Sequence, residues 1–450
     1  MEKKNNNRIE KYKHLYKLSF SWKLVSFYII PLHSLFYRKI IVEGKENIPQ
    51  KGPLIFAPNH QNALMDPLAV LFASHRQIVF LARADVFKNK ILAKLFYFLK
   101  ILPVFRIRDG KENLQNNDET FNIAVRTLEY GQNVGLFPEA RHNNKRSLLP
   151  LKKGVPRLAF MAEEKNNFNL NLKIIPAGIY YSDYTKLRSV LHIKFGEAIS
   201  VKDYENAYKD NPQKAMFLLR DEIKRRIKPL IIDIEDNEMY DTCENLRKLH
   251  TDKVEKNCCK KNNYIENYNL QKSIIETFQN YYKEYPEKSQ SIKDKVTKFE
   301  NYKSKYKISN KCFGFSKYLW LNTILNSILI LLSSPIFIYG LLNNLISYFT
   351  PRLITSKIKD KQFHSSIKFV WTVFVIPVVY LIQIIIFAII VPKVFWILAY
   401  TFSLPILGYL AKIILEWANS TLEKWRFMML RRKKCYLDIK DLHDEILKLI

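Results

Sequence analysis

Two apolar runs of membrane-spanning length, Phe369 to Val391 and Val394 to Ile414, stand near the C-terminus with only Pro392 and Lys393 between them. A helix rises about 1.5 Å per residue, so roughly 20 apolar residues cross the hydrocarbon core of a bilayer, and each run is long enough to do so. Soluble helical domains seldom bury two uninterrupted runs back to back, so the pair reads as a helical hairpin across a membrane. A third stretch, Leu319 to Phe349, holds no charge in 31 residues, but Ser333, Ser334 and Pro335 divide it into two short arms. Arms of that length suit a kinked re-entrant hairpin better than a span. Basic residues lie before this stretch (Lys303, Lys305, Lys307, Lys311, Lys317), after it (Arg352, Lys357, Lys359, Lys361, Lys368) and after the last run (Arg426, Arg431, Arg432, Lys433, Lys434). The positive-inside rule expects all three groups on the cytoplasmic side, which an even number of crossings satisfies and three simple spans do not.

Charge says what kind of partner such a chain meets. Its 72 Lys and Arg against 42 Asp and Glu leave a net +30, which calls for an anionic partner: nucleic acid, an acidic lipid face, a phosphorylated substrate or an acidic carrier protein. From Lys253 to Lys311 fourteen lysines face seven acidic residues, interleaved with Tyr264, Tyr268, Tyr281, Tyr282 and Tyr285. That mixture can stack on single strands. It reads more simply as a solvated helical insertion, and beside the apolar runs the charge points to membrane rather than nucleic acid. Only 11 glycines occur, and none forms a G-x-G-x-x-G or G-x-x-x-x-G-K-[ST] loop, so a nucleotide cradle of either kind is not expected. The five cysteines contain no C-x-x-C pair, so neither a disulfide framework nor a metal site is expected.

The preceding chain has a different texture. Leu24 to Tyr37 is apolar but short, contains Pro31 and follows Lys11, Lys13, Lys17 and Lys23, so residues 1–37 are expected to lie in the membrane interface, with no small-residue cleavage site after them. From Arg38 to about Ile232 β-type runs (39–42, 54–57, 77–81, 102–105, 133–137, 173–179, 191–195) alternate with helical patterns (about 64–74, 86–100, 119–130, 155–164, 212–228). This predicts an α/β domain, a central β-sheet flanked by helices, over 38–232. A charged helical insertion or linker follows over 233–311, then membrane helices over 312–425 and a basic tail over 426–450.

Chemistry-bearing residues collect after the strands of that domain. Asn59 and His60 follow PLIFAP, at the strand end where open α/β sheets gather ligands. Asp66 lies six positions on, and a turn between the two brings its carboxylate to the imidazole. It would then orient His60 and leave one ring nitrogen free to take a proton from a hydroxyl. A cap at the start of the following helix explains Asp66 as well. ILPVFRIRDG ends a strand at Arg106, where a guanidinium can grip phosphate. LFPEARHNNKRSLLPLKKG sets Glu139, Arg141, His142, Lys152, Lys153 and Gly154 in one loop, and KIIPAGIYY carries Pro176 and Gly178 where a close backbone approach leaves no room for a side chain.

In this order the four blocks resemble the glycerolipid acyltransferase superfamily, of the 1-acylglycerol-3-phosphate acyltransferase type. NHQNALMD (Asn59 to Asp66) is similar to its NHxxxxD block, PVFR (to Arg106) to its second, FPEARHN (Phe137 to Asn143) with Lys152 to Gly154 to its FPEGTRS block, and IIPAG to its fourth. The resemblance covers about residues 39 to 200. It implies that His60, oriented by Asp66, deprotonates an acceptor hydroxyl attacking an acyl thioester, and that Asn59, Arg106, Glu139, Arg141, His142, Lys153 and Gly154 serve the substrate. It implies no cofactor and no metal, with acyl-CoA or acyl-carrier protein as co-substrate, while the missing cleavage site and the basic flanks of the apolar runs place the catalytic domain on the cytoplasmic face of the membrane. Lysophosphatidate, the commonest acceptor of the family, is the first expectation. Three features depart from the family. One extra residue separates His60 from Asp66, a spacing similar to that of fungal glycerol-3-phosphate/dihydroxyacetone-phosphate acyltransferases, so first-step acylation is the alternative. Ala140 replaces a glycine, and His142 takes the position of an arginine, with Arg141 just before it. The C-terminal membrane region lies outside the family core. A reading from another class is a non-catalytic membrane scaffold that binds anionic partners through 253–311.

Overall fold

The structure is a computed structural model that describes residues 20–105, 116–254, 261–314 and 318–449. The chain divides into two compact units, one of residues 1–233 with Ile358–Phe369, the other of Ile234–Lys357 with Val370–Ile450.

The first unit is built on a mixed eight-stranded sheet. Its strands are β1 (Lys39–Glu43), β2 (Leu54–Pro58), β3 (Ile78–Arg83), β4 (Ile101–Val104), β5 (Asn133–Gly135), β6 (Lys173–Tyr181), β7 (Val190–Phe195) and β8 (Ile199–Ser200). They run in the order β1-β7-β6-β2-β5-β3-β4, with β8 beside β6. The pairs β6/β2, β2/β5, β5/β3 and β3/β4 are parallel, so β2 to β6 all end on one edge of the sheet. β7 turns back antiparallel on β6 and β1 joins it in parallel. β2 is central and its five residues are buried, which is why it reads as an unbroken apolar run rather than an alternating one.

Helices of this unit are α1 (Phe20–Phe36), α2 (Met65–Ser74), α3 (Lys90–Phe98), α4 (Asn116–Glu129), α5 (Gly154–Lys165), α6 (Glu205–Asp210) and α7 (Pro212–Ile227). α7 shows how the sequence specifies them. The Asn211 side chain accepts from the Lys214 amide, Pro212 starts the first turn, and Ala215, Leu219, Ile223 and Ile227 repeat every four residues as one buried stripe. That stripe joins Val155, Leu158 and Ala162 of α5 and Ala124 and Leu128 of α4 in a core against Ile55, Val79, Val134 and Ile174 of the sheet. A Cβ on Gly178 would fall 2.5 Å from the Leu230 carbonyl oxygen, so the close approach expected in KIIPAGIYY is real.

The second unit is helical among its described residues: α8 (Tyr240–Val254), α9 (Lys261–Glu284), α10 (Pro286–Tyr306), α11 (Leu319–Leu332), α12 (Ser334–Asn343) and α13 (Leu345–Ser356). α14 (His364–Val370) leaves the first unit, and α15 (Ile376–Ile390), α16 (Val394–Leu430) and α17 (Cys435–Lys448) follow in the second. Within the lysine-rich α9 and α10 a buried face of Tyr268, Ile275, Phe278, Ile292, Val296 and Phe299 packs inward. Tyr268 is thus core rather than a displayed stacking surface.

Two helices, Lys361–Ile390 and Val394–Leu430, are long and apolar enough to cross a membrane. α11 and α12 meet at a 54° bend at the Ser333 break, the geometry of a broken span or a re-entrant loop. Large apolar side chains face outward on both, with Ile389 77% and Leu331 72% exposed, a surface that water does not favour and lipid does. Close packing holds these helices together. A Cβ on Gly340 would fall 2.2 Å from the Leu407 carbonyl oxygen, and Asn344 donates to the carbonyls of Gly340 and Leu404 while accepting from the Tyr380 hydroxyl at 2.6 Å. Small residues that admit a neighbouring backbone, tied by polar side chains, are the usual glue between helices in lipid.

Candidate functional site

Because β2, β5 and β6 are parallel neighbours, the segments that follow them emerge together at one sheet edge. β2 delivers Asn59 and His60, β5 delivers Phe137 to His142, and β6 ends on Tyr181. The turn of residues 61–64, with Ala63 at φ 33°, leads into α2, whose first turn carries Asp66.

Asp66 is fully buried and is the hub. Its Oδ2 lies 2.8 Å from His60 Nδ1 and accepts from the amides of Gln61 and Asn62, each at 2.7 Å, while its Oδ1 accepts from the Tyr181 hydroxyl at 2.7 Å. Four partners converge on this one carboxylate, and its Oδ2 faces His60 Nδ1. His60 therefore carries its proton on Nδ1 and offers the Nε2 lone pair. Its ring stacks on Phe137, with centroids 3.9 Å apart, and its side chain stays 12% exposed.

His142 Nδ1 sits 2.8 Å from His60 Nε2, so its N–H donates to that lone pair. Burial, followed by the nearby His60, pulls the His142 imidazole down to about 4, and it is neutral at physiological pH. Its own Nε2 has no hydrogen-bond partner among the described residues.

Two residues expected to meet substrate have their polar atoms committed elsewhere. Glu139 is 2% exposed, and its two oxygens accept from the amides of His60 (2.7 Å) and Leu149 (3.0 Å). Burial pushes its carboxyl up to about 8, aided by Asp66 and Asp233, although both amide contacts act the other way. Glu139 thus fastens the His60 backbone. Asn59 continues the β2/β6 ladder with its side chain, donating to the Ile179 carbonyl and accepting from the Ile179 amide. Both thus have these polar atoms engaged by backbone groups around the site.

A family model described as Acyltransferase matches residues 39–180. The chain carries a glycerolipid acyltransferase domain. It is 32% identical over 128 residues to glycerol-3-phosphate O-acyltransferase 2 of Saccharomyces cerevisiae, covering 28% of this chain and 17% of that protein. It is 23% identical over 316 residues to glycerol-3-phosphate O-acyltransferase 1 of the same yeast, covering 51% and 42%. With a 1-acyl-sn-glycerol-3-phosphate acyltransferase of Borreliella burgdorferi the identity is 26% over 163 residues, covering 36% and 58%. The chain thus spans less than two thirds of the length of each of these relatives.

Within the acyltransferase domain the cationic candidates fall in different places. Arg141 is exposed and has no partner among the described residues, so its guanidinium is available to an anion. Lys153 Nζ donates to Gln213 at 3.0 Å and lies over the Phe217 ring, directed to α7. Gly154 opens α5, and Arg106 lies outside the described residues. Sequence reasoning missed Tyr181, the second support of Asp66. Its signal was a hydroxyl at the end of a strand that is otherwise almost wholly apolar and buried.

Ala140, where the family pattern has glycine, adopts φ 57°, in the left-handed region that a Cβ disfavours. Ala140→Gly is therefore expected to stabilise the domain by roughly 0.5–1 kcal/mol and raise its thermal midpoint in detergent. A lower midpoint would show that this turn carries no strain.

Proposed function

We propose that the chain is a membrane-bound O-acyltransferase that moves a fatty acyl group from a thioester, acyl-CoA or acyl-carrier protein, to a hydroxyl of a glycerol-phosphate-type acceptor. The observation that carries this reading is the Asp66-held imidazole of His60, whose Nε2 points away from the carboxylate. The acceptor hydroxyl takes the place of the His142 N–H at that nitrogen. Its proton passes to Nε2 as the oxygen attacks the thioester carbonyl, the C–O bond forms, the C–S bond breaks, and the imidazolium returns the proton to the departing thiolate. Asp66 stabilises the imidazolium and does not itself take the proton. Arg141, exposed beside the site in sequence, contacts the acceptor phosphate.

Of the two acceptors, glycerol 3-phosphate is favoured by the widened His60–Asp66 turn and by the likeness to the two yeast glycerol-3-phosphate O-acyltransferases. Lysophosphatidate is the second reading, supported by the bacterial relative. In membranes carrying the full chain, with both acceptors present with labelled acyl-CoA, label is expected in lysophosphatidate formed from glycerol 3-phosphate. Label only in phosphatidate formed from added lysophosphatidate would reverse the assignment.

A further inference from the structure

Twelve residues, Ile358–Phe369, group with residues 1–233, although their sequence neighbours up to Lys357 and from Val370 belong to the second unit. The segment grips three parts of the site. Ser366 Oγ accepts from the Leu64 amide at 3.1 Å, inside the turn that joins His60 to Asp66. Ser365 donates to the Tyr184 carbonyl and Lys368 Nζ to the Thr185 carbonyl at 2.7 Å. Tyr184 in turn donates through its hydroxyl to Gln61 at 2.9 Å, and its carbonyl accepts from Asn62. Phe363 meets the His142 ring edge-on, with centroids 5.3 Å apart and planes at 83°. At the far end Phe369 packs against His33 and Phe36 of α1.

His142 is the point where this matters. Its Nδ1–H occupies the lone pair that the acceptor must reach, so its ring must turn aside yet stay close. A neutral imidazole there then donates the same N–H to the incoming hydroxyl oxygen or head group. The rings of Phe363 and His60 both pack steeply angled against His142 and bound that motion. We propose that the 358–369 segment is a positioning element of the acyl-transfer site, in which Phe363 keeps the His142 ring close beside His60 Nε2 as it gives way to the acceptor.

The inference rests on His60 as the base, and its test separates the two. In full-length protein, Phe363→Ala is expected to raise the acceptor KM roughly tenfold, about one neutral hydrogen bond, with kcat and the donor KM within about twofold of wild type. Phe363→Tyr keeps the edge and is expected to restore the wild-type KM. If Phe363→Ala fails to accumulate, Phe363→Leu keeps the apolar bulk without the edge and is expected to show the same split. The effect should vanish in a His142→Ala background, because one positioning contact is then already gone. An unchanged acceptor KM, or an equal effect with and without His142, overturns the inference and leaves the base intact. Wild-type transfer that persists in His60→Ala overturns the base and the inference together.

Discussion

Asp66→Ala is expected to be the most destabilising single change in the acyltransferase domain, costing about 3–5 kcal/mol and lowering the thermal midpoint in detergent sharply. The carboxylate is fully buried and serves His60 Nδ1, two turn amides and the Tyr181 hydroxyl. Alanine leaves all four donors without this acceptor. Asp66→Asn keeps the volume but presents an N–H where donors converge, so part of the penalty remains. It also removes the charge that fixes the His60 tautomer, and where it folds, transfer is expected to fall on the order of 10³-fold. A midpoint within a degree or two of wild type for Asp66→Ala would mean that the turn is held by other contacts.

His60→Gln is expected to separate chemistry from stability in the opposite sense. The imidazole is partly exposed, stacks on Phe137 and is anchored through its backbone amide to Glu139, which the substitution keeps. Stability should change by no more than about 1–2 kcal/mol, while transfer falls by about 10²–10⁴-fold through loss of the general base. A variant that is folded and silent places the loss in the proton transfer. A variant that unfolds would place it in the structure instead, and Glu139→Ala would then be expected to behave in the same way.

How much of this was legible beforehand follows from the range of the interactions. The strands and the His60–Asp66 pair were legible because their signals are local: an unbroken apolar run for β2, a turn and helix start for Asp66. The break at Ser333 was legible for the same reason, since serines and a proline interrupt the apolar run. β8 is two residues long and exists only by pairing with β6, so no periodicity could announce it. The contacts of Glu139 and Asn59 depend on which backbone groups lie across the sheet edge, whereas the family resemblance implied that both serve the substrate. The segment 358–369 was hardest. It reads as a basic linker between apolar runs, and only contacts about 180 to 300 positions distant in sequence attach it to the site.

The most direct test of the central claim is acyl transfer from labelled acyl-CoA to glycerol 3-phosphate and lysophosphatidate, with wild type and His60→Gln assayed side by side at equal folded amounts. The account predicts a labelled acylated product with wild type and a loss of at least about 100-fold with His60→Gln. Equal transfer by the two proteins, or none by wild type with either acceptor and either thioester donor, would contradict it.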